Sequence, residues 1–167
     1  MFHSLNEFEA LYRTEMDATQ KVFDAMTDDS LGKRVADGHR TLGRVAWHIC
    51  TTVPEMMERT GLKLDLVSES TPIPTVAKDI AHVYGAVSRA LLEEINNKWS
   101  DESLDVEDDM YGQTWPRKST LLALLQHQTH HRGQMTVLMR QAGIRVPGVY
   151  GPAKEDWADY GMPIPEV

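Results

Sequence analysis

Two histidines four residues apart are the first feature of this sequence that could do chemistry. His127 and His131 lie in a stretch with helical periodicity, where this spacing puts both rings on one face, one turn apart. That face also carries Leu124 and Leu138, so the pair is predicted to point inward. His48 lies among apolar residues of another helical stretch and is predicted to point inward as well. Three histidines with open positions are a common arrangement for a catalytic metal ion, and this is the chemistry we predict.

Each of these histidines also has a simpler interpretation. A lone histidine on an apolar face is usually a core residue with one hydrogen bond, and that interpretation is favoured for His48 taken alone. An inward pair is rarer, because burying two imidazoles without partners costs free energy. Cys50 lies about 200° around the helix from His48 and is predicted to be a small buried apolar residue rather than a ligand. The other four histidines are predicted not to be ligands: His3, His39, His82 and His130.

The three residues that follow His131 suggest supporting roles. Gln134 lies three positions later and is predicted to hydrogen-bond a ligand histidine from outside the metal site. Arg132 either forms a structural ion pair or binds an anionic group of a substrate, and the ion pair is favoured. Gly133 in mid-helix costs roughly 1 kcal/mol relative to alanine, a cost that a close approach by another helix would explain.

Four stretches of helical periodicity position these residues, and no stretch shows convincing two-residue alternation. An all-α four-helix bundle is therefore predicted, as a single domain over residues 1–167. A short hairpin is compatible with the segment 100–118, which is irregular and acidic at first. The tail, about 146–167, is predicted to be irregular and anchored by Trp157 and Tyr160. The predicted helices cover residues 4–26, 41–59, 75–98 and 119–141.

Capping residues support two of those helix boundaries. Ser4 is a predicted N-cap of the first helix, and Glu7, three residues later, completes a capping box. Ser119 or Thr120 is the predicted N-cap of the last helix.

Composition and charge exclude several classes of function. The net charge is −8 and the isoelectric point about 5.3, which argues against a nucleic-acid-binding surface. A single cysteine allows no internal disulfide and fits a reducing cytoplasm. The sequence shows neither a signal peptide nor a run of eighteen apolar residues, so no membrane association is predicted.

Three segments together resemble a known family. Residues 127–134, His-Gln-Thr-His-His-Arg-Gly-Gln, resemble the His-x-x-x-His-Arg-Gly-Gln stretch of the DinB/YfiT-like proteins. Residues 42–48, Leu-Gly-Arg-Val-Ala-Trp-His, are similar to the helix that donates the first histidine in that family. Residues 146–152, Val-Pro-Gly-Val-Tyr-Gly-Pro, look like a family tail. The resemblance covers nearly the whole chain.

This resemblance implies a four-helix bundle that holds a divalent metal ion, zinc or nickel, on three histidines. The family is the damage-inducible one of Gram-positive bacteria, and its members are commonly homodimers. Some relatives transfer low-molecular-weight thiols to electrophiles, and one branch isomerises maleylpyruvate with mycothiol. Many members have no assigned reaction.

The leading hypothesis is a cytoplasmic metal-dependent enzyme, either a hydrolase or a thiol S-transferase. Its metal ion would activate water or a thiol against an electrophilic small molecule. Glu55, seven residues after His48, is the candidate general base, with Tyr84 and Tyr111 as weaker candidates. The alternative is a non-catalytic protein, either a metal-binding stress protein or a small-molecule binder. A DNA-binding role is opposed by the acidic charge balance.

Overall fold

Four long helices form the body of the protein, which is described here from a computed structural model for residues 2–166. The helices are α1 (Leu5–Asp24), α2 (Leu42–Glu58), α3 (Ala77–Lys98) and α4 (Arg117–Gln141). Each packs against two others in the order α1, α3, α2, α4, and the contact between α4 and α1 closes the ring. The predicted four-helix bundle is confirmed. No helix in the described part of the chain is long and apolar enough to cross a membrane.

The N-termini of the first three helices are capped in two different ways. The Ser4 hydroxyl accepts a hydrogen bond from the Glu7 amide at 3.2 Å, as the sequence predicts, and Thr41 caps α2 in the same manner. The predicted capping box is not completed, because the Glu7 carboxylate accepts from the His3 amide instead of the Ser4 amide. Helix α3 has no side-chain cap of its own. The carboxylate of Asp28 accepts from the Ala77 amide at 2.7 Å instead.

Helix α4 begins earlier than the sequence predicts. Its N-cap is Pro116, in an extended conformation, so the predicted cap at Ser119 or Thr120 is wrong. Proline is suited to this place because it lacks an amide hydrogen and resists the helical conformation of the residue before it. The amide of Arg117 donates to the carbonyl of Val106, which joins the start of α4 to the segment before it.

The hairpin expected before the last helix is present. Strands β1 (Glu107–Met110) and β2 (Gln113–Pro116) pair in antiparallel register, after a short 3₁₀ helix at Asp101–Asp105. Tyr111 and Gly112 form the turn and both have positive φ angles, 59° and 81°. This combination fits the right-handed twist of a two-residue hairpin.

The tail is held differently from the prediction. It contains a 3₁₀ helix at Lys154–Tyr160, so it is less irregular than expected. Tyr160 is 65% exposed and does not anchor the tail, while Trp157 is half-buried. The anchors are the buried Val146 and the hydroxyl of Tyr150, which donates to the Glu15 carboxylate at 2.7 Å. Ion pairs of Arg140 with Glu155 and of Arg145 with Asp156 add to them.

Candidate metal centre

The contact between α2 and α4 brings three imidazoles together. His48 comes from α2, and His127 and His131 come from successive turns of α4. The ring centroids are 4.4 Å apart for the α4 pair, and they lie 5.0 and 4.8 Å from His48. One nitrogen of each ring lies within 4.8 Å of the others, so a single ion fits between them.

The nitrogen atoms that meet are suited to a metal ion. The Nε2 atoms of His127 and His131 are 3.1 Å apart. Two ligands of a tetrahedral zinc ion, each about 2.0–2.1 Å from the metal, lie about 3.3–3.4 Å apart. Neutral imidazole is a good ligand for zinc and nickel alike. The α4 pair therefore fits a divalent ion after a shift of a few tenths of an ångström, and His48, whose nitrogen lies within 4.8 Å of the other two, completes the set by moving closer.

Outer hydrogen bonds orient two of the three rings. The His131 Nδ1–H donates to the side-chain carbonyl of Gln134 at 2.7 Å, which leaves Nε2 with a free lone pair facing the cluster. The Nδ1 of His48 lies 3.4 Å from the hydroxyl of Thr52, one turn later on α2. The Nδ1 of His127 is buried and has no partner among the described residues. His127 is therefore the least firmly oriented of the three.

The surroundings keep these histidines neutral. Burial lowers the pKa of His48 to about 4, and the nearby positive charge of Arg40 adds to the effect. Burial and the neighbouring His131 lower the pKa of His127 to about 4. The pKa of His131 is lowered as well, again chiefly by burial. At neutral pH all three rings are uncharged, which is the state that ligates a metal ion.

A buried ion pair fixes the rotation of α4. The guanidinium of Arg132 lies 2.8 Å from the Glu15 carboxylate of α1 and also donates to the Thr19 hydroxyl at 2.9 Å. Gln128, one turn earlier, donates to the same hydroxyl at 3.1 Å, and the Tyr150 hydroxyl also contacts Arg132. Arg132 is 2% exposed, so of its two predicted roles the structure shows the ion pair. By binding α1 with one face, α4 turns its histidine face toward α2.

The comparisons with known proteins agree with this architecture. A sequence model of the DinB family matches residues 1–166. The chain belongs to the DinB family. The predicted resemblance is therefore confirmed over nearly the whole sequence.

Three similar proteins illustrate the range of similarity. An uncharacterised Bacillus subtilis (strain 168) protein, YrdA, is 43% identical over 167 residues, the whole of both chains. A DinB-like crystal structure from Bacillus cereus ATCC 10987 is 46% identical, with a TM-score of 0.87, and the match covers 90% of this chain and all of that one. A second DinB-like structure, YjoA of Bacillus subtilis, has a TM-score of 0.68 at 16% identity and covers 86% and 97% of the two chains. That last match shows the shared fold alone.

Glu55, the candidate base, lies near the histidines of this DinB-family chain with both oxygens engaged. One oxygen pairs with Arg59 at 2.9 Å, and the other accepts from the Tyr111 hydroxyl at 2.7 Å. The charge of Glu55 still acts on His127, whose pKa it tends to raise. As a general base Glu55 stays a prediction, and the role requires that one of its partners moves away. Tyr84 is buried against Phe23 in the core, outside the three-histidine cluster.

The residues predicted not to be ligands lie outside the cluster. Cys50 is buried, with its thiol directed at the Ile80 carbonyl, and burial raises its pKa. His130 is exposed and hydrogen-bonds the Gln134 amide. The other three histidines are also exposed: His3, His39 and His82.

One explanation drawn from the sequence is wrong, and several supporting residues were missed. Gly133 is exposed, and a Cβ there would meet nothing within 4 Å, so no helix packs closely against it. Thr52 could have been found from its spacing of four from His48, because this places both residues on one helix face. Glu15, Tyr150 and Arg40 carry no such signal, because they meet the site from distant parts of the chain.

Proposed function

We propose that this protein is a metal-dependent enzyme that acts on an electrophilic small molecule. The observation that carries the proposal is the convergence of three neutral imidazoles, from two helices, on one point. A divalent ion bound there, zinc or nickel, supplies Lewis-acid activation of water or of a low-molecular-weight thiol. The reducing cytoplasm is the compartment we propose, because it maintains free thiols.

The protein's own residues have distinct tasks in this proposal. His48, His127 and His131 hold the ion through lone pairs and take no part in proton transfer. Gln134 holds the tautomer of His131 that leaves Nε2 free. The Thr52 hydroxyl, beside the Nδ1 of His48, orients that ring in the same way. His131 is buried and the other two rings are partly buried, which strengthens electrostatic interactions at the site relative to those in open solvent.

An open site is favoured over a purely structural ion. Structural zinc sites are usually closed by four protein ligands, and their loss unfolds small domains. The cluster found within residues 2–166 has three candidate ligands. Removal of the ion by a chelator is therefore expected to leave the helical circular dichroism signal intact. Loss of that signal on chelation would favour the alternative, a metal-stabilised protein without catalysis.

Metal analysis of untagged protein tests the site directly. We expect a stoichiometric divalent ion in the wild type and its loss in His127→Ala and His131→Ala. His130→Ala is the matched control, because His130 lies on the same helix but is exposed, and it should retain the ion. Unchanged metal content in His127→Ala would sink the assignment.

A reaction screen separates the two chemistries. Metal-loaded protein is incubated with a panel of low-molecular-weight thiols and a generic aryl halide electrophile, and separately with activated esters. A thiol-dependent rate that disappears in His131→Ala supports S-transfer, and an ester-cleavage rate with the same dependence supports hydrolysis. Absence of both would favour a non-catalytic small-molecule binder.

A further inference from the structure

A groove beside the histidine cluster has a composition that selects a particular class of ligand. It has a volume of about 490 Å³, which lies within the range of small-molecule sites. His131 forms part of its wall, so the groove adjoins the proposed metal site. We call this cavity the Arg40 groove. Its lining residues are Val35, Gly38, His39, Arg40, Val45, His131, Gln134, Val137 and Leu138.

Arg40 gives the groove a positive charge without a counter-charge. No carboxylate belongs to the lining, and Arg40 forms no salt bridge within residues 2–166. Its charge reaches all three ligand histidines, because it adds to burial in lowering each of their pKa values. A divalent ion beside it would increase the positive potential further, so an anion is the favoured occupant.

A second cavity has a mainly negative lining. Glu55, whose charge acts on His127, lines it together with Glu58, Asp65 and Glu69, and Lys63 is the cation among them. No ligand histidine belongs to this lining, whereas His131 lines the Arg40 groove. Of these two cavities, the Arg40 groove is therefore the one that suits an anionic molecule beside the histidines.

The remaining walls of the groove are apolar. Val35 on the loop before α2 is 60% exposed, and Val137 on α4 is 55% exposed. Val45 and Leu138 extend the apolar surface and are buried at its floor. Exposed valines on both sides of one cavity favour a ligand with an apolar body. Arginine adds specificity for a carboxylate, because its planar fork can donate two parallel hydrogen bonds.

We propose that the Arg40 groove binds the electrophilic substrate, and that this substrate is a small organic carboxylate with an apolar body. The carboxylate pairs with Arg40, the apolar body lies between Val35 and Val137, and the reacting end extends toward His131. The inference rests on the proposed metal-dependent function and adds the class of substrate to it. Arg40 is a specificity-determining residue in this proposal, since it recognises a part of the substrate that does not react.

Ligand binding to metal-loaded protein tests the proposal without any assay of activity. The probes are 4-phenylbutyrate and its neutral amide, titrated by calorimetry against the wild type, Arg40→Gln and Arg34→Gln. Arg34 is the matched control, because it is an exposed arginine of the same loop that does not line the groove. We expect the carboxylate to bind roughly ten- to a hundredfold more weakly to Arg40→Gln, with no change for Arg34→Gln. The amide should bind weakly to all three proteins.

Two readouts keep this test separate from the test of the metal site. Metal content is measured on every variant, so a wild type without metal counts against the proposed function and not against the groove. If Arg40→Gln retains its metal and binds the carboxylate as the wild type does, the substrate class is overturned. Light scattering on the wild type and Val137→Asp gives the oligomeric state. If Val137→Asp dissociates an oligomer, copies of the chain cover the groove and the proposal fails.

Discussion

Helix α4 carries two polar pairs of identical spacing, shifted by one residue. Gln128 and Arg132 face α1, where the Thr19 hydroxyl and the Glu15 carboxylate give their polar atoms partners. His127 and His131 face α2, where they meet a third imidazole and no charged partner. The donor groups of the first pair all find acceptors within the protein, and the side-chain oxygen of Gln128 is the atom left without a partner among the described residues. In the second pair, the Nε2 atoms face one another in the three-histidine cluster.

The difference shows that two faces of one helix can have separate roles: one stabilises the fold, and the other offers ligands to a metal ion. A buried charge is tolerated only with a partner, so the α1 side has its partners built in. On the α2 side the Nε2 atoms of His127 and His131 lie 3.1 Å apart, where they can share one hydrogen bond or bind one metal ion. The two pairs have the same spacing. They differ in the helix that each pair faces and in the partners that this helix provides.

The largest expected effect is a loss of stability on the α1 side. In Arg132→Met the Glu15 carboxylate stays buried without its cation, and we expect the free energy of unfolding to fall by about 3–5 kcal/mol. Arg140→Met removes an exposed pair with Glu155 and should cost about 1 kcal/mol or less. Urea unfolding measures both. Equal losses would show that the buried pair is no more important than a surface one.

Acid should destabilise the α2 side of the metal-free protein. The pKa values of His48 and His127 are about 4 in the folded state, below an unfolded value of about 6.5. Between these values the unfolded chain binds more protons, so stability falls as the pH is lowered from about 6.5 to 4. Both rings are partly exposed, so solvent screening keeps the slope for each histidine well below the limit of about 1.4 kcal/mol per pH unit, and the total loss below that of Arg132→Met.

The control for this pH dependence is the double variant His48→Gln/His127→Gln. Urea unfolding of both proteins from pH 7 to pH 4.5 gives the two slopes, and carboxylates common to both contribute equally. The variant should show the flatter profile. Parallel profiles would mean that the histidines are not held neutral by the fold.

The hydrogen bond behind His131 is expected to have a smaller effect, limited to metal affinity. Gln134→Ala removes the acceptor that orients the ring, and we expect affinity to fall about 10–100-fold with little change in stability. Competition with a chromogenic chelator measures the affinity. Gln141→Ala, at the exposed end of α4, is the matched control. An unaltered affinity in Gln134→Ala would show that packing alone orients His131.

The smallest effect is expected at Gly133, which contributes to neither pair. The open space beside it allows a methyl group, so Gly133→Ala should raise the free energy of unfolding by about 0.5–1 kcal/mol through helix propensity alone. Metal content should stay the same. This variant sets the baseline for changes on α4 that affect neither the α1 side nor the α2 side. A loss of stability would show that the added methyl group does meet neighbouring atoms.

The sequence predicts what depends on local periodicity. Four helices, the inward direction of His127 and His131, and the capping role of Ser4 all follow from spacings within a few residues. The start of α4 was missed because Pro116 ends a strand, and the pairing of that strand with residues 107–110 is a tertiary contact.

The partners of the site residues could not be predicted in this way. Arg132 and Glu15 are 117 positions apart, and the spacing of Arg132 on α4 does not identify its acceptor. Tyr111 reaches Glu55 only because a two-residue turn projects it toward α2. The sequence therefore predicts which residues can bind a metal ion, and the packing decides which other groups remain free.

The salt bridge between α1 and α4 also affects when, during synthesis and folding, the metal site is completed. Chains emerge from the ribosome from the N-terminus and fold domain by domain as they do so. Glu15 and His48 are synthesised well before the partners that they meet on α4. Because Arg132 follows His131 directly, the step that neutralises Glu15 also delivers the last two ligands. Metal acquisition is therefore expected as a late event of biosynthesis, after the bundle has closed.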